Sequence, residues 1–144
     1  MQSSSFLNRL YKFLQAHVVA AVYLPLAIYW IVLFIGTTLP ADEIPHFFNS
    51  QDKLEHFLAY LGLAALINLT LFLQNKIVLD SSKAFLLSIL FVMIYGAIDE
   101  IHQIWIPSRV CDFFDWCADS LGGFTGAAII YLYLKSEFVK KMKR

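Results

Sequence analysis

The chain has 144 residues, enough for one domain, and carries 11 Lys/Arg against 11 Asp/Glu for a formal net charge of zero. It is 59% hydrophobic and 15% charged, far below the ~25% charged share of soluble proteins, and its mean hydropathy is +0.64. These values exclude an ordinary water-soluble globule, and basic residues confined to short flanks of apolar runs exclude a nucleic-acid-binding surface.

Residues 1–17 are amphipathic. Phe6, Leu7, Leu10, Tyr11 and Leu14 recur at helical spacing with Asn8, Arg9 and Lys12 opposite, which predicts an interfacial helix. Four apolar stretches follow, at about 18–38, 53–73, 84–106 and 113–134, each near the ~20 residues that cross a bilayer. The first is too long for a signal-peptide core and no convincing small-x-small site follows, so it reads as an uncleaved span, kinked at Pro25. The expected fold is an all-α membrane protein. It is a single domain over 1–144, a four-transmembrane-helix bundle with a short N-terminal amphipathic helix.

The connections sort by charge. Arg9, Lys12, Lys76, Lys83 and the basic tail from Lys135 fall on one side, where only Asp80 and Glu137 are acidic. Asp42, Glu43, Asp52, Glu55, Asp99, Glu100, Asp112, Asp115 and Asp119 fall on the other, where only Lys53 and Arg109 are basic. A Lys/Arg excess marks the cytoplasm. Both termini are therefore expected inside, and the acidic end outside.

That acidic end holds nearly all the groups capable of chemistry. In the second span Asp52, His56 and Tyr60, at i, i+4 and i+8, share a face with Lys53 beside it. In the third, Gly96, Glu100 and Gln103 form one stripe, with Asp99 and His102 on the next. Glu100 is read as six residues inside Ile106, roughly 9 Å at a helical rise of ~1.5 Å per residue. An ionised carboxylate at that depth costs several kcal/mol unless paired, wetted or protonated, so its partner must come from another segment. The fourth span aligns Asp112, Asp115, Asp119, Gly122 and Gly126. Gly122-x-x-x-Gly126 permits close helix approach, which makes a cup: helices touching below, polar walls opening above. Arg109, in the turn Pro107-Ser108-Arg109, is the expected counter-ion of Glu100, Asp115 or Asp119, and its planar fork suits a carboxylate or phosphate. Cys111 and Cys117 lack zinc-type spacing and read as two free thiols, with a disulfide at the outer side as the alternative.

The ordered set Asp52-Lys53-x-x-His56-x-x-x-Tyr60, Glu100-x-x-Gln103, Pro107-x-Arg109, Asp115, Asp119 and Gly122-x-x-x-Gly126 resembles the VanZ-like family of small bacterial membrane proteins. The family often carries Asn where this chain has Asp119. Its namesake is associated with low-level teicoplanin resistance. The resemblance implies the plasma (inner) membrane of a bacterium and points to these positions. It supplies no reaction.

Three function classes stay open. In an enzyme acting on a lipid-linked or cell-envelope substrate, His56 or Glu100 would be the general base or acid, Arg109 and Lys53 would hold a phosphate or carboxylate, Asp115 would orient Arg109, and Gln103 and Asp119 would complete the ligand-binding set. A non-enzymatic binder or transporter of an amphiphile would use the same cup. In an assembly or regulatory protein the network would be structural, with Lys53 and Arg109 fixing helix register. Gly122 and Gly126 read as packing residues in all three. Tyr60 and Trp105 read as belt or packing residues, and Asp42, Glu43 and His46 as solvated loop. No resident cofactor or metal is expected, although Asp52, His56, Glu100 and Asp115 are types that hold a divalent cation. The expected partners are the bilayer and a lipid-linked or cell-wall ligand, not nucleic acid.

Overall fold

Pro25 sets the shape of the first span, because a proline cannot donate to the carbonyl four residues back and its ring crowds that carbonyl. In a computed structural model, which describes residues 3–74 and 79–135 (of 3–8 the backbone alone), the chain answers with one wide turn. Val19–Tyr23 is π-helical, and the Leu24 N–H bonds to the Val19 carbonyl five residues back. Helix α1 (Ser3–Ala16) precedes this turn and α2 (Leu24–Thr38) follows it. A 3-10 turn at Ala41–Glu43 leads to α3 (Gln51–Leu73), α4 (Ser81–Gln103) and α5 (Phe113–Lys135). No strand occurs among the described residues. Lys76, the tail beyond Lys135 and the side chains of Phe6 and Leu7 lie outside what is described.

Four segments are long and apolar enough to cross a membrane: Val19–Thr38, Gln51–Leu73, Ser81–Gln103 and Phe113–Lys135. Their outward stripes are apolar and exposed, as with Leu24, Ile28, Ile31 and Ile35 on α2 and Leu90, Ile94, Ile98 and Ile101 on α4. In water such faces would aggregate. In a bilayer they meet lipid.

Three boundaries differ by two or more residues from expectation: the start of the second span and both ends of the third, which begins at Ser81 rather than 84. The second span starts at Gln51, whose buried side chain receives the Phe47 N–H at 2.8 Å and donates to the Pro45 carbonyl at 2.8 Å, tying the preceding loop to the helix start. The third ends at Gln103 rather than Ile106. Pro107 disfavours α-helix at the residue before it, and residues 104–106 wind into tighter turns, with Trp105 N–H on the His102 carbonyl at 3.1 Å and Ile106 N–H on the Gln103 carbonyl at 3.0 Å. Glu100 thus lies within one turn of the helix end, closer to the rim than the sequence implied. At the other end of α4 the Asp80 carboxylate caps the helix, accepting from the Ser82 and Lys83 N–H groups at 2.9 Å each.

Helices α3 and α5 form the most intimate pair, α4 packs against both, and α2 lies on the outside against α3. The α3–α5 approach depends on glycine. A Cβ at Gly122 would run into the Phe57 carbonyl, and one at Gly126 into the Leu61 carbonyl, both backbone atoms that cannot swing aside. Below the polar end the core is mostly apolar, with Tyr60, Leu63, Ala64, Val92 and Ala127 fully buried, and the buried Asn68 and Ser88 side chains donate to the Ala127 and Ala84 carbonyls. At the far end Tyr11 of α1 docks against Val22, Phe72, Leu73 and Leu134, which fixes the amphipathic helix to the bundle.

Candidate functional site

The polar end is built by the first turns of α3 and α5, the last turns of α4, and the 39–50 and 104–112 connections. Helix geometry explains why these side chains converge. His56 and Tyr60 continue the face of α3 that buries Leu63 and Ala64, while Gly96, Glu100 and Gln103 continue the buried face of α4. Asp115 and Asp119 lie above Gly122 on the face of α5 that touches α3.

The contacts fall into layers. Nearest the rim, Lys53 Nζ meets Asp112 at 2.9 Å, Asp115 at 3.0 Å and Asp52 at 3.1 Å. The Lys53 ammonium, helped by the Phe114 N–H, holds the Asp112 carboxyl below the usual carboxylate range. One layer in, His56 Nδ1 lies 2.9 Å from Asp119 Oδ1 and 3.8 Å from Glu100 Oε1. The other Glu100 oxygen accepts the Asp112 backbone N–H at 2.8 Å. Deeper still, the Tyr60 hydroxyl donates to Asp99 at 2.9 Å. His56, Asp99, Glu100, Gln103, Asp115 and Asp119 are all at least nine-tenths buried. Gly96 makes room for this layer: a Cβ there would come within 2.9 Å of Asp119 Oδ2.

Arg109 does not behave as expected. Its Nε donates to the Leu39 carbonyl at 3.1 Å, and among the described residues it makes no ion pair with Glu100, Asp115 or Asp119. Lys53 takes the counter-ion role because α3 packs directly on α5, whereas Arg109 leaves its turn toward the end of α2. The expected single cavity is two adjoining spaces. An apolar groove of about 220 Å³ runs between α2 and α3, past Leu33, Gly36 and Ala59, to His56, Tyr60 and Arg109. A polar cleft of about 150 Å³ is lined by Asp52, Gln103, Ser108, Arg109 and Asp115. Ile44, Glu55 and Arg109 belong to both. Glu100 and Asp119 line neither and sit behind His56.

This site lies within residues 13–134, which match a family model described as VanZ/LLP1. The chain belongs to the VanZ/LLP1 family. Comparisons with curated proteins and with solved structures give no match. The matched region of this VanZ-like protein covers all four apolar helices but the last residue, together with every group of the cluster. Four such helices and the family together describe a multi-pass membrane protein.

Sequence reasoning missed two partnerships in the VanZ-like site. Tyr60, read as a packing residue, is also the hydrogen-bond donor to Asp99. Asp112, read only as part of a stripe, closes on Lys53 through its side chain and on Glu100 through its backbone. The one available signal was that Asp99 and Glu100 are adjacent, so both cannot face lipid cheaply and two separate partners are required. Cys111 and Cys117 are free, the former exposed.

Chemically, an imidazole held at Nδ1 by a carboxylate and bordering a groove has the orientation that a general base needs. Among the described residues Arg109 has no carboxylate partner, and it lies where the apolar and polar spaces meet, a setting in which a guanidinium can pair with an anion.

Proposed function

We propose that this VanZ-like protein binds an anionic amphiphile of the bacterial cell envelope at the extracytoplasmic end of its bundle, and that its cellular role is linked to glycopeptide (teicoplanin-type) resistance. The observation that carries this reading is the meeting of the two spaces at Arg109. The groove between α2 and α3 has the apolar lining a hydrocarbon chain needs, and the adjoining cleft is polar. Among the described residues Arg109 has no carboxylate partner. A phosphate or carboxylate head group at that junction would take both the charge and the fork of the guanidinium, with Gln103 in the cleft beside it. The outward orientation rests on the Lys/Arg excess at the opposite end, where Arg9, Lys12, Lys83 and Lys135 lie.

A second reading has its own observation. Lys53 joins α3 to α5, and Tyr60 joins α3 to α4, so the polar network also clamps three helices. In that reading the cluster is structural and the protein acts through assembly or regulation.

Native mass spectrometry of the protein released from nanodiscs separates the two, with vesicle lipid containing a polyprenyl phosphate or an anionic phospholipid. The amphiphile reading expects a retained anionic lipid, lost in Arg109→Gln at unchanged thermal stability. Equal retention by wild type and Arg109→Gln, or retention of neutral lipid alone, would leave the structural reading.

A further inference from the structure

We propose that His56, Glu100 and Asp119 form a binding site for a divalent transition cation, of the Zn²⁺ or Mn²⁺ type. The three side chains come from three different helices, all are buried, and one ligand atom from each lies within 4.8 Å of the others. His56 Nδ1 is 2.9 Å from Asp119 Oδ1 and 3.8 Å from Glu100 Oε1. Tetrahedral ligands at bond lengths of ~2.0–2.2 Å sit roughly 3.3 Å apart. The two His56 separations bracket that value, and the Glu100–Asp119 pair lies within 4.8 Å, so side-chain adjustment brings the three ligand atoms onto one cation.

A separate observation points to a missing partner. Glu100 Oε1, the carboxylate oxygen that faces His56 Nδ1, is buried and has no hydrogen-bond partner among the described residues. A buried carboxylate oxygen without a donor is strongly disfavoured. The Asp112 N–H on the other Glu100 oxygen orients the carboxylate, as outer-shell groups do around metals.

Charge leads to the same place. Lys53 is engaged by Asp52, Asp112 and Asp115, and Arg109 turns to the Leu39 carbonyl. Neither reaches Glu100 or Asp119. Two carboxylates, a neutral imidazole and a divalent cation sum to zero, which removes the charge imbalance at a depth where it is costly. The imidazole favours Zn²⁺ over Ca²⁺ or Mg²⁺, while two oxygens also suit Mn²⁺. Three protein ligands leave a coordination position for water or another ligand. This set differs from Asp52, His56, Glu100 and Asp115, two of which are held by Lys53. The site stands independently of whether an amphiphile binds.

The test uses the full chain in detergent, with any affinity tag removed, stripped by chelator and then exposed to Zn²⁺, Mn²⁺ or Co²⁺ before desalting. The expected result is about one retained metal ion per chain, with Co²⁺ giving the visible absorption of nitrogen and oxygen ligation. Glu100→Gln and Asp119→Asn should each weaken retention by at least ~10-fold, while Asp52→Asn should not. Should those variants misfold, ¹⁵N-histidine NMR of the wild type decides: the His56 ring nitrogens must shift on metal addition. An unshifted His56, or an imidazolium that persists in excess metal, would overturn the proposal in favour of a shared-proton network. Cobalt spectra of thiolate ligation would overturn it in favour of Cys111 or Cys117.

Discussion

His56 on α3 and Asp119 on α5 meet at 2.9 Å in a layer from which Lys53 and Arg109 are both absent. The two basic residues of this end therefore do different things. Lys53 organises the rim acids, and Arg109 faces the junction of groove and cleft. Substitutions separate these roles.

Arg109 makes one hydrogen bond to backbone and no ion pair among the described residues. Arg109→Gln should change unfolding free energy by no more than about 1 kcal/mol, yet weaken binding of an anionic amphiphile by roughly tenfold or more. Arg109→Lys keeps the charge and loses the fork, so its affinity should fall between the two. Thermal unfolding in detergent and lipid retention, measured on the same preparations, check both halves. A large fall in stability for Arg109→Gln would make the residue structural.

Lys53→Met should destabilise, because it leaves the buried Asp115 without a cation. Its side chain is 35% exposed, so water screens the loss. The expected cost is about 1–2 kcal/mol, less than the ~3–5 kcal/mol of breaking a fully buried pair. Adding Asp115→Asn should recover a good part of it, since the uncompensated charge is then gone. The double-mutant cycle reads the coupling directly.

Acid should act on the same rim. Lys53 depresses the Asp112 carboxyl. A carboxyl lowered in the folded state contributes stability at pH above its unfolded value of ~3.9 and loses it as pH falls through the lower folded value. Unfolding midpoints taken from pH 6 downward should fall less steeply below about pH 4 in Asp112→Asn than in the wild type. Parallel curves would show that Asp112 carries none of the acid sensitivity.

Gly122→Ala and Gly126→Ala should each cost about 1–3 kcal/mol by overpacking, because the added methyl meets a carbonyl of α3. Gly36→Ala on α2, with nothing within 4 Å, should be neutral or stabilising by up to ~1 kcal/mol, since alanine favours helix. Denaturation of the three variants in one detergent gives the ranking. Equal effects would mean that α3 and α5 have room to part.

Sidedness is tested by a cysteine at Asn49 in a background lacking Cys111 and Cys117. A membrane-impermeant thiol reagent should label it in intact cells. Labelling only after lysis would put the polar end in the cytoplasm.

The helices were legible because a bilayer imposes a length and a polarity that few other environments demand, so 18–38 and 113–134 lie within a residue of the observed segments. The end of α4 was less so. Apolar Ile104 to Ile106 continue the span's composition, and only the restriction before Pro107 stops the helix. Residues on one stripe were also legible, since Gly96, Glu100 and Gln103 are buried together. Pairing between helices was not. Whether Lys53 or Arg109 reaches Asp115 depends on how closely α3 and α5 pack and on the direction in which a turn projects its side chain. Helical periodicity contains neither. The partners of Glu100 were half-predicted: a second segment was required, but a backbone N–H at Asp112 has no signature in side-chain identity.

The glycine contacts have a bearing on how the polar layer tolerates change. Gly122 is one turn from Asp119, and the Phe57 carbonyl it abuts belongs to the residue after His56. Main chain touching main chain therefore acts as a caliper for the gap between imidazole and carboxylate. Side chains at 56 and 119 can be exchanged without resetting it, so a relative with an amide at the position of Asp119 would hold its own group at the same distance. What the group is can drift from one member to another, while where it sits is fixed by two residues that have no side chain at all.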